Sequence, residues 1–221
     1  MNSIDFLKEV VTSHSDISTV RTFRFIFNNK IQDRITNFSA PEIAFIHSVQ
    51  DRKKIQGGSF WENCFRETES SGEYHDAILN GALFHNPNTN FNYYSRDVFI
   101  TSNEQYENTA FNSEVTLKNG LKRHIVMLDF KINKSMRAQT LCANYIKALG
   151  LSGAIFDSGK SYHFISRTLS TKSELIEILA KFILLHPISD KSWAAHQIIE
   201  DSASLRISEK YDVLPTFVQY I

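Results

Sequence analysis

The sequence has few cysteines, glycines and prolines, and it has no excess of charge of either sign. Its 221 residues include 2 Cys, 8 Gly and 4 Pro, and 24 basic side chains balance 24 acidic ones. The low glycine and proline content excludes collagen-like and low-complexity chains. The balanced charge excludes a global field that would hold nucleic acid or an anionic membrane, so any phosphate binding must be local.

Long apolar runs are also missing. The longest one, residues 176–185, is interrupted by charged side chains and is far shorter than the roughly 20 residues that span a bilayer. The first residues carry the acidic Asp5, whereas a secretory signal begins with positive charge. Cys64 and Cys142 lie far apart without a CxxC or Cys/His ladder, which is typical of reduced thiols. We therefore expect a cytoplasmic protein without a membrane segment.

The hydrophobic periodicity predicts an α+β fold. Helices are predicted over residues 3–12, 39–57, 137–149, 171–185 and 192–199. Strands are predicted over residues 22–27, 124–132, 154–156, 162–165 and 204–207, and a hairpin turn at Asn119-Gly120. This order predicts an antiparallel or mixed sheet with helices packed on it. We expect one compact unit over residues 1–221, with an N-terminal αβ part (1–119), a core (120–208) and a C-terminal tail (209–221).

Two predicted strands carry a charged residue among apolar neighbours. Asp129 lies near the end of the strand over residues 124–132, where a carboxylate must be paired, bind a metal or lie at the rim of the sheet. Lys131, two residues on, shares its face, and mutual neutralisation is the simplest interpretation. Arg206 lies in the strand over residues 204–207, where an exposed arginine on an edge strand is the simplest interpretation.

The segment between these strands contains Gly-Lys-Ser but is not a P-loop. Five residues separate Gly153 from Gly159, whereas a P-loop has four between its glycines. Bulky residues typical of a strand, Ile155 and Phe156, lie in that stretch. The turn offers backbone amides, the hydroxyls of Ser158 and Ser161, the ammonium of Lys160 and the imidazole of His163. These groups suit phosphate oxygens. A chance Ser-Gly turn is the alternative.

Together and in this order, the three segments resemble the archaeo-eukaryotic primase superfamily over about residues 121–208. The first resembles its acidic Asp-x-Asp motif, the second its Ser-x-His motif, and the third its hydrophobic-acidic strand that continues into Leu-Arg. The resemblance implies an RRM-like primase-polymerase fold whose acidic residues hold two divalent ions, Mg or Mn, that clamp a nucleoside triphosphate. It also implies a function on DNA or RNA, in replication or repair, beside a helicase or similar partner.

The resemblance assigns roles to individual residues. It implies that Asp129 and His163 are catalytic and that Asp129 and Asp201 bind metal. It implies that nucleotide is bound by Ser158, Lys160, Ser161, His163 and Arg206.

The chain departs from the acidic motifs. Lys131 stands at the second acidic place, where its ammonium would compete with a cation for Asp129. Ala203 stands where related chains often have Asp, while Asp201 keeps the same face if the strand extends that far, with Glu200 nearby. We therefore expect a primase-like protein that binds nucleoside triphosphates or nucleic acid through a weakened or lost two-metal site. An active, metal-dependent primase-polymerase is the alternative.

A non-enzymatic module that binds single-stranded nucleic acid or protein is a further alternative. Stacking platforms combine positive charge with aromatic rings. The candidates are Arg21, Arg24, Lys30 and Arg34 with Phe23, Phe25 and Phe27, and Tyr93-Tyr94 near Arg96. Three phenylalanines at period two favour a buried core instead.

Overall fold

The computed structural model describes residues 1–24, 40–71, 91–102, 106–209 and 213–221. The chain divides into two compact units, one formed by Met1–Phe25 with Thr89–Ile221 and the other by Ile26–Asn88. The predicted boundary at residue 120 lies in the turn between two strands of the first unit.

The described residues form eight strands and seven helices. In chain order these are α1 (Ser3–Ser13), β1 (Ile17–Arg24), α2 (Ala40–Gln56), α3 (Phe60–Ser71), β2 (Phe91–Ser95), α4 (Arg96–Thr101), β3 (Thr109–Leu117), β4 (Lys122–Asp129), α5 (Met136–Ala148), β5 (Gly153–Asp157), β6 (Tyr162–Ser170), α6 (Lys172–Leu184), α7 (Lys191–Ile199), β7 (Ser204–Arg206) and β8 (Thr216–Tyr220).

One antiparallel sheet organises the first unit, and it confirms the predicted α+β class. The strand order is β2-β1-β3-β4-β6-β5-β8, and β7 also pairs with β3. Strand β4 pairs with β3 only over residues 114–116 of β3, while β7 pairs with residues 110–112 along the same edge. Strand β7 therefore lies between β3 and the diverging end of β4, and it carries Arg206 towards that end.

Local sequence signals explain where the helices of this unit begin and end. Thr171 and Glu174 form a reciprocal capping box at the start of α6, as the spacing predicts. Gly150 follows α5 with a φ of +72°, a conformation that glycine adopts without a side-chain clash. The apolar face of α1 packs into the core, where the Phe6 ring centroid lies 5.5 Å from that of Phe156 on β5.

Several strands differ in extent from their sequence predictions. Strand β1 begins at Ile17 rather than at residue 22, and the predicted continuation beyond Arg24 lies outside the described residues. Strand β6 runs on to Ser170 through an irregularity in its pairing with β4. The segment predicted as a tail contains β8, which pairs with β5 along the edge of the sheet. The segment 70–92, whose Asn, Gly and Ser content predicts loops or a small helix, lies largely outside the described residues.

The second unit is described as a helical hairpin of α2 and α3. Gly57 and Gly58 join the helices with φ of +72° and +82°, and α2 ends at Gln56, close to its predicted end. Phe45, Val49 and Cys64 form a small buried cluster. In neither unit does any helix of the described residues reach the length and apolarity needed to cross a membrane.

Candidate functional site

Strand β4 delivers Asp129 to one corner of the sheet. Four fully buried apolar residues precede it, whereas the Asp129 side chain is 29% exposed. The ladder continues past β4, because the Asp190 N–H donates to the Asp129 carbonyl (3.1 Å) and the Lys131 N–H donates to the Ile188 carbonyl (2.7 Å). The backbone through Lys131 is therefore extended, so Asp129 and Lys131 share one face.

His163 on β6 lies directly opposite Asp129 in the register of the two strands. Its Nε2 atom is 3.5 Å from Asp129 Oδ1, at the limit of a hydrogen bond, and its side chain is 8% exposed. Burial, with a smaller contribution from the charge of Arg206, lowers the pKa of His163 to about 3. The imidazole is therefore neutral at physiological pH, and its contact with Asp129 is not an ion pair.

The turn between β5 and β6 forms the second side of this corner. The Ser158 N–H donates to the Ser161 carbonyl (3.0 Å), and the Gly159 N–H donates to Asp157 Oδ1 (2.8 Å). Gly159 has a φ of +105°, which favours glycine. Lys160 is exposed at the tip of the turn.

The loop after β4 packs along this turn. Ser161 Oγ accepts the Ile132 N–H (3.0 Å), so the hydroxyl proton of Ser161 can still be donated. Lys134 Nζ lies 2.7 Å from Asp157 Oδ2. Because two separate contacts join the loop to the turn, the segments on either side of Asp129 and His163 are held together.

Arg206, at the end of β7, forms the third side of the corner. Its guanidinium donates to the backbone carbonyls of Ser158 (2.8 Å), Val213 (3.0 Å) and Ser208. Burial lowers the pKa of Arg206, and the charge of Asp129 acts in the opposite direction. The guanidinium stays protonated at neutral pH, and its hydrogen bonds to neutral carbonyls leave its charge available to an anion.

Asp201 does not join this corner. Strand β7 begins at Ser204 and does not extend back to Asp201, which lies in a turn after α7 with a φ of +57°. Asp201 Oδ2 is 2.5 Å from Lys172 Nζ at the start of α6. The last residue of β6, just before α6, pairs with His124 near the other end of β4. Asp129 lies five positions further along β4 than His124, which is about 17 Å of strand.

Ala203 also lies towards the His124 end of β4. Its N–H donates to Ser113 Oγ (2.9 Å), and its carbonyl accepts the Ser113 N–H (2.7 Å). Ser113 Oγ is in turn 3.1 Å from His124 Nδ1. Burial lowers the pKa of His124, which favours its neutral form. Ala203 therefore secures the start of β7 and does not face Asp129.

The side chains of this corner do not supply the ligands that the two divalent ions implied by the resemblance would need. Asp157 is bound by Lys134 and by the Gly159 N–H, and Asp190 Oδ1 accepts the Trp193 N–H (3.0 Å) as the cap of α7. Within residues 1–24, 40–71, 91–102, 106–209 and 213–221, no three His, Cys, Asp or Glu side chains converge on a possible metal position. Asp129 is thus the one predicted metal ligand at the corner, and a two-ion site needs more carboxylates.

Two residues at this corner, Asp190 and Lys134, were not predicted from the sequence. Asp190 precedes a predicted helix, and the preference for Asp at N-caps was a usable signal for its capping role. Its position beside Asp129 depends on the chain returning along β4 after α6, which no local pattern reveals. Lys134 gave no signal, because its partner Asp157 is distant in sequence.

Comparison with known proteins identifies the family. No curated protein and no solved structure matches the chain. Residues 89–218 match the model of a family described as AEP-like, archaeo-eukaryotic primase 1D-like. The match covers more than half of the chain and includes Asp129, the β5–β6 turn, His163 and Arg206. The chain therefore belongs to the AEP-like, archaeo-eukaryotic primase 1D-like family.

Proposed function

We propose that this primase-like protein binds nucleoside triphosphates, and through them acts on nucleic acid, at the corner formed by β4, the β5–β6 turn and β7. The observation that carries the proposal is the convergence of His163 and Arg206 beside Asp129. A neutral imidazole and a guanidinium supply hydrogen-bond donors of the kind that phosphate oxygens accept.

The turn adds further phosphate contacts in this proposal. Ser161 donates the hydroxyl proton that its contact with Ile132 leaves free, and Ser158 contributes its hydroxyl. Lys160, exposed at the tip, adds a positive charge within reach of the outer phosphates. Arg206 holds the carbonyl of Ser158 and so keeps the turn next to β7.

The scarcity of metal-binding carboxylates at this corner favours nucleotide binding over nucleotidyl transfer. Transfer needs a primer hydroxyl to lose its proton, attack the α-phosphate in line and expel pyrophosphate, with divalent ions stabilising the charge. In the predicted ligand set Asp129 is joined by Asp201, but Asp201 pairs with Lys172 away from the corner. We therefore propose a weakened or lost two-metal site, with active primer synthesis as the alternative.

The state of the two cysteines supports a proposal on the compartment in which the protein works. Cys64 and Cys142 are free and buried, and burial raises the pKa of the Cys142 thiol to about 12. Unreactive free thiols support a reducing compartment such as the cytoplasm. A helicase or other replication-type partner stays a prediction from the resemblance.

Thermal unfolding with ATP and dATP, with and without manganese, tests the proposal. A ligand that binds only the folded state raises the midpoint, and a hundredfold excess over Kd predicts a shift of about 5–10 °C. His163→Ala should abolish the shift, whereas His47→Ala, on α2 of the other unit, should keep it. No shift with any triphosphate, or an equal shift in His163→Ala, contradicts the proposal.

A second candidate function uses the paired strands β1 and β2. The Tyr93 side chain is exposed, and its ring centroid lies 6.5 Å from that of Phe91. The Phe91 ring contacts Phe23 edge to face (6.0 Å) and carries the Arg21 guanidinium 4.1 Å from its centroid. Phe23 is thus half-buried rather than in the core, and pairing of the strands joins two candidates that were separate in sequence. Phe25 and Phe27 lie outside the described residues.

This aromatic row supports binding of single-stranded nucleic acid. Stacking of one base on an aromatic ring contributes about 1–3 kcal/mol. Tyr93→Ala should therefore weaken binding of a labelled oligothymidine about tenfold in fluorescence anisotropy, whereas Tyr93→Phe should retain it. Equal affinity of both variants removes this candidate function.

A further inference from the structure

The site corner carries cations that contact no carboxylate of residues 1–24, 40–71, 91–102, 106–209 and 213–221. Lys131 and Lys160 are exposed, and neither forms an ion pair with a residue in the part of the chain that the structure describes. Arg206 donates its hydrogen bonds to backbone carbonyls. Three positive side chains therefore lie on the segments that form this corner, and Asp129 lies on one of the same segments.

Two other carboxylates near this corner, those of Asp157 and Asp190, have partners of their own. Lys134 neutralises Asp157 through both carboxylate oxygens. Asp190 caps α7, whose N-terminal partial positive charge favours its carboxylate. Among the residues that the structure describes, Lys131, Lys160 and Arg206 thus offer positive charge at this corner, which suits an anion and disfavours a divalent cation.

Among these cations, Lys131 decides whether the position beside Asp129 attracts a divalent ion or a phosphate group. It shares the face of Asp129, since the backbone between them is extended and held by the Ile188 carbonyl. An acidic residue at this place would attract a divalent ion beside Asp129. An ammonium at the same place repels that ion and attracts phosphate oxygens directly.

We propose that this site binds its triphosphate without a divalent ion, with Lys131 supplying the positive charge that metal ions supply in an acidic first motif. The inference rests on the proposed nucleotide binding and specifies the form of the ligand. An uncomplexed triphosphate carries several negative charges, and Lys131, Lys160 and Arg206 meet them from three segments of the corner.

Isothermal titration of the whole chain with ATP and with inorganic triphosphate tests this inference. Each ligand is titrated once in EDTA and once in excess Mn²⁺, at the same ionic strength. For the unaltered protein we expect the two Kd values for ATP to agree within about threefold. Inorganic triphosphate should also bind in EDTA, because the contacts are with phosphate.

Two variants of Lys131 and a matched control sharpen the test. Lys131→Met should weaken binding in EDTA about tenfold, and Lys131→Asp should weaken it further while strengthening binding in Mn²⁺. Lys118→Asp makes the same charge change on an exposed residue in the β3–β4 turn, at the opposite end of β4, and should change neither Kd.

The outcomes separate the inference from the function on which it rests. Absence of ATP binding in both buffers overturns the proposed function and the inference together. Binding in Mn²⁺ alone preserves the proposed function and overturns the inference. Binding in EDTA that survives Lys131→Met and Lys131→Asp overturns the role assigned to Lys131.

Discussion

His163 and Asp129 face each other across neighbouring strands, with Nε2 and Oδ1 3.5 Å apart. The pair is asymmetric, because burial keeps the imidazole neutral while the carboxylate is partly exposed. An ionised imidazole would neutralise Asp129, whereas a neutral one does not. The properties of the corner therefore depend on the protonation state of His163.

The first prediction concerns acid stability. Unfolded His163 takes up a proton near its ordinary pKa of 6.5, whereas the folded protein does so only near 3. Between these values the unfolded state binds more protons, so the free energy of unfolding falls as pH is lowered. His163→Gln removes this dependence, and its loss of stability between pH 7 and 5 should be smaller by about 2 kcal/mol.

Urea unfolding of both proteins at pH 7, 6 and 5 measures this difference. His124, whose pKa burial also lowers, is present in both and contributes equally. Parallel pH dependence in the two proteins would show that His163 is already protonated in the folded state.

The second prediction concerns the geometry of Arg206. Its planar guanidinium reaches carbonyls in three segments, which the single ammonium of lysine cannot reproduce. Arg206→Lys and Arg206→Met should both weaken ATP binding about tenfold, whereas Arg123→Lys, at the start of β4, should leave it unchanged. If Arg206→Lys binds ATP in a titration as tightly as the unaltered protein, a single ammonium charge is enough for binding at this position.

The third prediction concerns the contact that secures β7. Ser113→Ala leaves the buried Ala203 N–H and His124 Nδ1 without this hydroxyl, and should lower the free energy of unfolding by about 1–3 kcal/mol. Ser18→Ala removes a half-buried hydroxyl bonded to the Thr116 carbonyl and should cost less. Equal losses of the two variants in urea unfolding would contradict the role given to Ser113.

The fourth prediction concerns the tight turn beside the site. A Cβ on Gly159 would lie 3.2 Å from Val213 Cγ1, and its φ of +105° strains any other residue. Gly159→Ala should therefore destabilise the protein by about 1–3 kcal/mol. Adding Val213→Ala to Gly159→Ala should recover the part of the lost stability that comes from the steric contact, but not the part that comes from the strained φ. A double-mutant cycle measures this coupling, and strict additivity would place Val213 away from the turn.

Local signals in the sequence predicted much of the C-terminal half. The capping box at Thr171, the glycine after α5 and the Asn119-Gly120 turn act within a few residues, so each structure follows from adjacent side chains. The family resemblance rested on the same region, and the family match confirms it.

The features that the sequence did not reveal depend on pairing between segments that are far apart in the chain. The position of Asp201 depends on where β7 starts, and that start is fixed by its bonds to Ser113 on β3. The proximity of Asp190 to Asp129 depends on the return of the chain after α6. Similarly, the contact between Phe23 and Phe91 exists because β1 and β2 pair across a long sequence gap.

Titration of the protein with ATP, ADP and AMP tests the central claim most directly, because the proposed contacts are with phosphates rather than with the base. The account predicts that affinity rises with each phosphate, that ATP binds at least tenfold more tightly than AMP, and that His163→Ala removes most of this difference. Equal affinity for all three nucleotides, or a difference that survives in His163→Ala, would contradict it.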